Sequence, residues 1–259
     1  MSTSAPASRW NGKVALVTGA SSGIGRAIAT RLAAMGMHVI VTARRKERLD
    51  ALCADVRERG GHIDALSCDL RDAEAIRGLF VELRGLAGGV DVLVNNAGLG
   101  KKSPLAAPPS ETGIDRWREM LDVNVLALAQ CTQEALVDMR ARGDAGHVIH
   151  ISSMASHRVP TGSGMYSASK FAVRSLTEGL RLELREAGSK IRVSAVSPGF
   201  VETEFAEVYH SDPDAAERTY GRFPVLQAED IADAVAYLLE APAHVQVHDL
   251  LIRPTEQDN

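Results

Sequence analysis

The chain has 259 residues, 45% hydrophobic and 24% charged, with a formal net charge of −4. That much apolar material excludes disorder along most of its length, and the acidic balance excludes nucleic acid as the expected partner, which needs a basic face. No apolar run approaches the roughly 18 residues of a membrane span, so no membrane partner is expected.

Residues 1–9 are small and polar, lack the apolar core of a signal peptide and read as a short disordered tail. From there apolar runs alternate with amphipathic stretches. Strands are expected at 13–18, 37–42, 62–68, 90–94, 147–152, 190–196 and 247–252. Between them helices are expected at 23–35, 46–59, 72–86, 114–140, 164–187 and 227–239. Residues 98–113, with three prolines, form a loop, and an irregular region runs from 198 to 224. Strand–helix alternation with short connections predicts a single α/β domain over 10–259. Its expected form is a Rossmann-type, doubly wound parallel sheet of about seven strands with helices on both faces. Cys53, Cys68 and Cys131 form an odd set without CxxC or Cys/His ligand spacing. No disulfide framework and no metal are expected, and a reducing cytoplasm is the expected compartment.

The first strand ends in Thr18-Gly19-Ala20-Ser21-Ser22-Gly23-Ile24-Gly25, and a helix follows. Glycines allow a tight turn and close backbone approach, and the helix N-terminus aims unpaired N–H groups at a pyrophosphate. Gly19, Ser21, Ser22, Gly23, Ile24 and Gly25 are therefore candidate cofactor contacts. The spacing Gly-x3-Gly-x-Gly resembles the mark of the short-chain dehydrogenase/reductase superfamily. In a NAD-binding fold an acid at the end of the second strand holds the ribose 2′-OH. Here that strand runs into Ala43-Arg44-Arg45-Lys46, with no carboxylate. Arg44, with Arg45 beside it, suits a 2′-phosphate, so NADP(H) is the expected cofactor. The resemblance further implies that Asp69 and Leu70 lie at the adenine. It gives Asn96, Ala97 and Gly98 of the Asn-Asn-Ala-Gly run to the adenine-ribose side. It also places Pro198, Gly199, Val201 and Thr203 at the nicotinamide carboxamide.

Tyr166-x3-Lys170 falls on one face of a helix, so phenol and ammonium serve one site. A carbonyl reductase needs an acid that protonates the developing alkoxide. A nearby ammonium and an oxidised nicotinamide ring are expected to lower the phenol from its usual pKa of about 10. Ser153 lies 13 residues before Tyr166, the family's Ser–Tyr spacing, and by resemblance orients the substrate carbonyl. Its neighbour Ser152 is expected to make only a strand-end backbone bond. Asn124 matches the family's helix Asn that supports Lys170. With these motifs in order, the resemblance covers residues 10 to 255.

Residues 152–159, 241–244 and 253–257 are similar to a branch of NADPH-linked reductases acting on ketosteroids and dicarbonyls. The expected activity is hydride transfer between NADPH and a neutral ketone or aldehyde. A similar branch of NADPH-dependent 3-hydroxy-acid dehydrogenases is the enzymatic alternative, and a non-catalytic NADP(H)-binding regulator the other. The pocket is expected to be lined from 101–110, from residues after Ser153, and from a mobile segment at 200–225. Lys101, Lys102 and Arg158 are the cations nearest to it. Pairing of the two long helices through residues such as Phe171, Leu176 and Leu180 is expected to give a homodimer or homotetramer.

Overall fold

The computed structural model describes residues 8–102, 104–108 and 113–258. Residues 1–7 of the expected tail, and Ser103, Pro109 and Ser110 of the expected pocket lining, lie outside them. Ser8 and Arg9 depart from a disordered tail. The Ser8 hydroxyl donates to Glu240, and Arg9 donates to the carbonyls of Leu239 and Ala241 at 2.5 and 2.6 Å.

One parallel sheet contains β1 (Val14–Thr18), β2 (His38–Ala43), β3 (His62–Ser67), β4 (Val92–Asn95), β5 (His147–Ile151), β6 (Arg192–Pro198) and β7 (Asp249–Ile252). The order is β3-β2-β1-β4-β5-β6-β7, the expected doubly wound sheet. The chain leaves β3 at one edge and returns beside β1 as β4, so the C-terminal ends of β1 and β4 flank a crevice at the switch point.

Alternate strand residues feed two cores. Ala15, Val17, Val39 and Val41 pack with Ile28, Leu32, Leu49, Leu52 and Val235, from α1 (Gly23–Ala34), α2 (Lys46–Glu58) and α9 (Ala228–Glu240). Val14, Leu16, Ile40 and Leu93 face the other way. They meet Phe80, Leu83, Leu136 and Leu184, from α3 (Ala73–Ala87), α5 (Leu128–Ala141) and α6 (Gly164–Glu186). This two-sided burial explains why the strands read as continuous apolar runs rather than alternating ones. Asp72 caps α3 by accepting from the Glu74 and Ala75 amides, and Gly88 ends it in a left-handed conformation.

Two long-range expectations need correction. The helix expected over 114–140 is broken into α4 (Ile114–Leu121), a π-helical turn (Asp122–Ala127) and α5. The irregular region after β6 contains two short helices, α7 (Phe205–His210) and α8 (Ala215–Tyr220). Leu180, expected on a subunit face, packs into the second core, whereas Phe171 and Leu182 remain exposed. Among the described residues, no helix is long and apolar enough to cross a membrane.

Candidate active site

The glycine-rich turn between β1 and α1 is held from β4. The Asn96 side chain donates to the carbonyls of Thr18 and Gly19 at 2.9 and 3.1 Å. The Thr18 hydroxyl accepts from the Asn96 and Ala97 amides, both at 3.0 Å. Gly19 has φ +68°, and a Cβ there would sit 2.7 Å from the Ala97 Cα, so a side chain is excluded by both conformation and space. The Thr203 methyl lies against Gly23, which joins the Pro198–Gly199 segment to the same turn. The Ser22 side chain does not cap α1, and its first turn carries no acid. Its leading N–H groups are thus available to an anion, as a dinucleotide pyrophosphate requires.

The basic run after β2 divides in two. Arg44 is exposed and makes no hydrogen bond or ion pair among the described residues, so its donors are free for a 2′-phosphate. Arg45, also expected at the cofactor, is already engaged. It donates to the hydroxyls of Ser21 and Ser22, each at 2.9 Å, and pairs with Glu204 at 3.1 Å. Arg48 meets the other oxygen of Glu204 at 2.6 Å. Asp69, expected at the adenine, forms a forked pair with Arg71. That contact and nearby charges hold its carboxyl below the ordinary range. Leu70 beside it is buried.

Across the crevice, β5 delivers Ser153 and α6 delivers Tyr166 and Lys170. The Ser153 hydroxyl lies near enough to the Tyr166 phenol to favour its ionised form and accepts from the Ala155 amide at 3.0 Å. The Lys170 ammonium is 6% exposed, donates to the Ile151 carbonyl at 3.0 Å, and sits 6.0 Å from the Tyr166 ring centre. Asn124 is 1% exposed. Its amide donates to the Leu99 carbonyl and the Ser169 hydroxyl at 2.8 and 2.9 Å and accepts from the Leu99 amide at 2.8 Å. The π-helical turn carries Asn124 and turns it inward, a helix distortion found at functional sites. Gly98 lies beside both Asn124 and Lys170, because a Cβ on it would be 3.4 Å from one and 3.6 Å from the other. Ser152 donates its amide to the Val196 carbonyl as expected, and its buried hydroxyl has no partner among the described residues.

Within the protein alone, Tyr166 shifts opposite to the lowering expected with an oxidised nicotinamide ring beside it. Burial pushes the phenol up to about 12, with Ser153 opposing and Tyr209 adding to the rise. Burial likewise pushes Lys170 down to about 8. Within the protein, desolvation outweighs any help the ammonium gives the phenolate.

Phe205 and Tyr209 of α7 stand over Tyr166, with ring centres 5.5 and 5.9 Å away. The Lys102 amide donates to the Tyr209 carbonyl at 2.9 Å, tying α7 to the loop after β4. Phe200 and Phe223 contact each other at 6.3 Å instead. Lys101 is salt-bridged to Glu119, while Lys102 and Arg158 are exposed.

Several side chains that were not named as site residues also shape the site. Thr18 braces the turn, Ser169 holds Asn124, and Glu204 clasps Arg45 and Arg48. Gln257 accepts from the Phe200 amide at 2.9 Å, anchoring the segment after Gly199. Val201 is buried, forming a bridge with Leu226, and the Thr203 hydroxyl accepts from the Phe205 amide at 3.2 Å at the start of α7. Buried His150 bonds Thr177 at 2.8 Å beneath Lys170, and burial followed by the Lys170 charge pushes it down to about 3. Thr18 heads the glycine-rich motif, Glu204 adjoins Thr203 and Gln257 ends the stretch 253–257 singled out above, whereas nothing local marked His150.

A family model described as short chain dehydrogenase matches residues 13–214. The chain is 48% identical over 255 residues to dehydrogenase/reductase SDR family member 11 of Gallus gallus, covering 96% of this chain and 98% of that protein. It is 45% identical over 250 residues to the farnesol dehydrogenase of Aedes aegypti, with 95% and 97% covered. Among solved structures, the closed form of serine dehydrogenase complexed with NADP+ matches with a TM-score of 0.87 at 34% identity. That match covers 95% of this chain and 96% of the other.

Proposed function

The chain belongs to the short-chain dehydrogenase family, and from that membership we propose that it is an NADPH-dependent carbonyl reductase acting on a neutral ketone or aldehyde with an apolar body. The observation that carries the reading is the meeting of Tyr166, Ser153, Lys170 and Asn124 at the mouth of the switch-point crevice. In this reading the turn of Gly19, Ser21, Ser22, Gly23, Ile24 and Gly25 holds the pyrophosphate. Arg44 meets the 2′-phosphate, and Arg45 braces Ser21 and Ser22. Asp69 and Leu70 flank the adenine, Asn96, Ala97 and Gly98 line the ribose side, and Pro198, Gly199, Val201 and Thr203 border the nicotinamide. Bound there, NADPH supplies the hydride.

The protein's own part is proton delivery. Ser153 donates to the substrate carbonyl and fixes its orientation toward Tyr166. Tyr166, kept protonated at neutral pH by burial, gives its proton to the oxygen as negative charge grows there. Lys170 and Asn124, bonded to backbone carbonyls, hold the floor of the site and limit movement of the proton donor.

The aromatic cover of Phe205 and Tyr209 favours an apolar substrate body. The Lys101–Glu119 pair favours a neutral one, because that lysine is already neutralised. The likeness to serine dehydrogenase keeps a 3-hydroxy acid as the second reading, with Lys102 and Arg158 as its carboxylate partners. We further propose a homo-oligomer formed through α4–α6, where Leu126, Val137, Phe171 and Leu182 are exposed. NADPH oxidation across ketones, aldehydes, dicarbonyls, ketosteroids and farnesal, with NADH in parallel, tests the proposal. L-Serine and 3-hydroxyisobutyrate with NADP+ test the second reading. No carbonyl turnover by well-folded protein refutes the first, and efficient oxidation of L-serine replaces it with the second.

A further inference from the structure

At the opposite end of the sheet, the starts of β2 and β3 bring together three side chains that the reductase site does not use. The parallel register sets His38 directly beside His62. Asp64, two residues along β3, shares the same sheet face. The two imidazole rings stack with centres 3.6 Å apart and planes 2° from parallel. Asp64 Oδ2 lies 2.8 Å from His38 Nε2 and 3.9 Å from His62 Nε2, and all three ligand atoms fall within 4.8 Å of one another. Arg57 donates to Asp64 Oδ1 at 2.6 Å and to the Ile63 carbonyl at 2.7 Å. It thereby fixes the carboxylate with Oδ2 turned to the histidines, as partners of metal ligands do.

The geometry points to a divalent transition-metal site formed by His38, His62 and Asp64, open to water at its remaining position. Metal–ligand distances of about 2.0–2.1 Å place tetrahedral ligands about 3.3 Å apart, between the two separations observed here. Binding requires the His38–Asp64 pair to open by about 0.5 Å and the His62 ring to swing out of the stack, and the His62 side chain is 69% exposed. Two imidazoles and one carboxylate suit Zn2+ or Cu2+ rather than Mg2+ or Ca2+, which prefer oxygen sets. Bound metal would clip the edge strand β3 to β2. The site is separated from Ala43, at the cofactor end of β2, by roughly 16 Å of strand at about 3.3 Å per residue. Its effect is therefore on stability and not on turnover, and it stands independently of the reductase reading.

The test uses untagged, chelator-stripped full-length protein titrated with ZnCl2 by calorimetry, with thermal unfolding in parallel. One equivalent of Zn2+ should bind and raise Tm. His62→Ala, at an exposed position, should weaken binding at least tenfold and abolish the Tm shift, while His244→Ala, at an exposed histidine elsewhere, should leave both unchanged. Absence of saturable one-to-one binding, or equal affinity in His62→Ala, overturns the proposal.

Discussion

Replacing Lys170 by Met should make the protein more stable while removing its activity. The ammonium is buried, its one hydrogen bond goes to the Ile151 carbonyl, and no ion pair reaches it among the described residues. Burial brings it from 10.5 down to about 8. At about 1.36 kcal/mol per pH unit, the buried charge costs the folded chain roughly 3.4 kcal/mol at pH 7. Methionine keeps the length of the side chain and removes that cost, but leaves the carbonyl without its donor, at about 1–3 kcal/mol. The expected net stabilisation at pH 7 is about 0.5–2.5 kcal/mol. Below pH 8 both folded and unfolded chains carry the proton, and the cost is present in full. Between pH 8 and 10.5 the folded chain gives up its proton first, so the wild type gains stability and the variant's advantage closes. Urea unfolding of both proteins at pH 7 and pH 10, at one protein concentration, measures this. A variant less stable at pH 7, or a gap that does not narrow at pH 10, refutes the reasoning.

Tyr166→Phe should abolish turnover while NADPH binding, followed by nucleotide fluorescence, is retained; loss of binding would assign the tyrosine a structural role instead. Because burial, opposed by Ser153, pushes Tyr166 up to about 12, carbonyl reduction should hold level from pH 6 to 8. Alcohol oxidation should climb with pH, and a reduction rate falling steeply across that interval would contradict the assignment. Arg44→Asp should lower kcat/KM for NADPH by about 10–100-fold, the loss of a charge-assisted contact worth about 1.5–3 kcal/mol. NADH should be spared, and an unchanged NADPH/NADH ratio would remove Arg44 from the phosphate site. His150, buried and held at about 3 against 6.5, stays neutral in the folded chain while the unfolded chain takes up a proton. Stability should therefore fall by about 2–3 kcal/mol as pH drops from 6.5 to 4.5. His150→Gln should flatten that fall in urea titrations, and equal slopes for the two proteins would show that another group is responsible.

The readings that depended on spacing along the chain were the ones legible from it. The turn from Gly19 to Gly25, the pairing of Tyr166 with Lys170 on one helix face, and alternation into a parallel sheet all follow from local geometry. A glycine turn, a helix period and a strand period need only neighbouring residues. The break in the helix at Asn124 was not legible, because the residues 122–127 carry no proline or glycine. What holds the inward-turned Asn124 is the Leu99 backbone, reached from another segment.

Sequence by itself determined which groups the chain carries: a glycine-rich turn opening a helix, a phenol beside an ammonium, and no acid after the second strand. Tertiary structure decided how those groups are tuned. It engaged Arg45 with Ser21, Ser22 and Glu204, while Arg44 makes no hydrogen bond among the described residues. It raised Tyr166 and lowered Lys170 by burying both, and it set His38 against His62 through strand register. Burial and partners drawn from distant segments control charge and hydrogen bonding, and neither has a signature within a window of the chain.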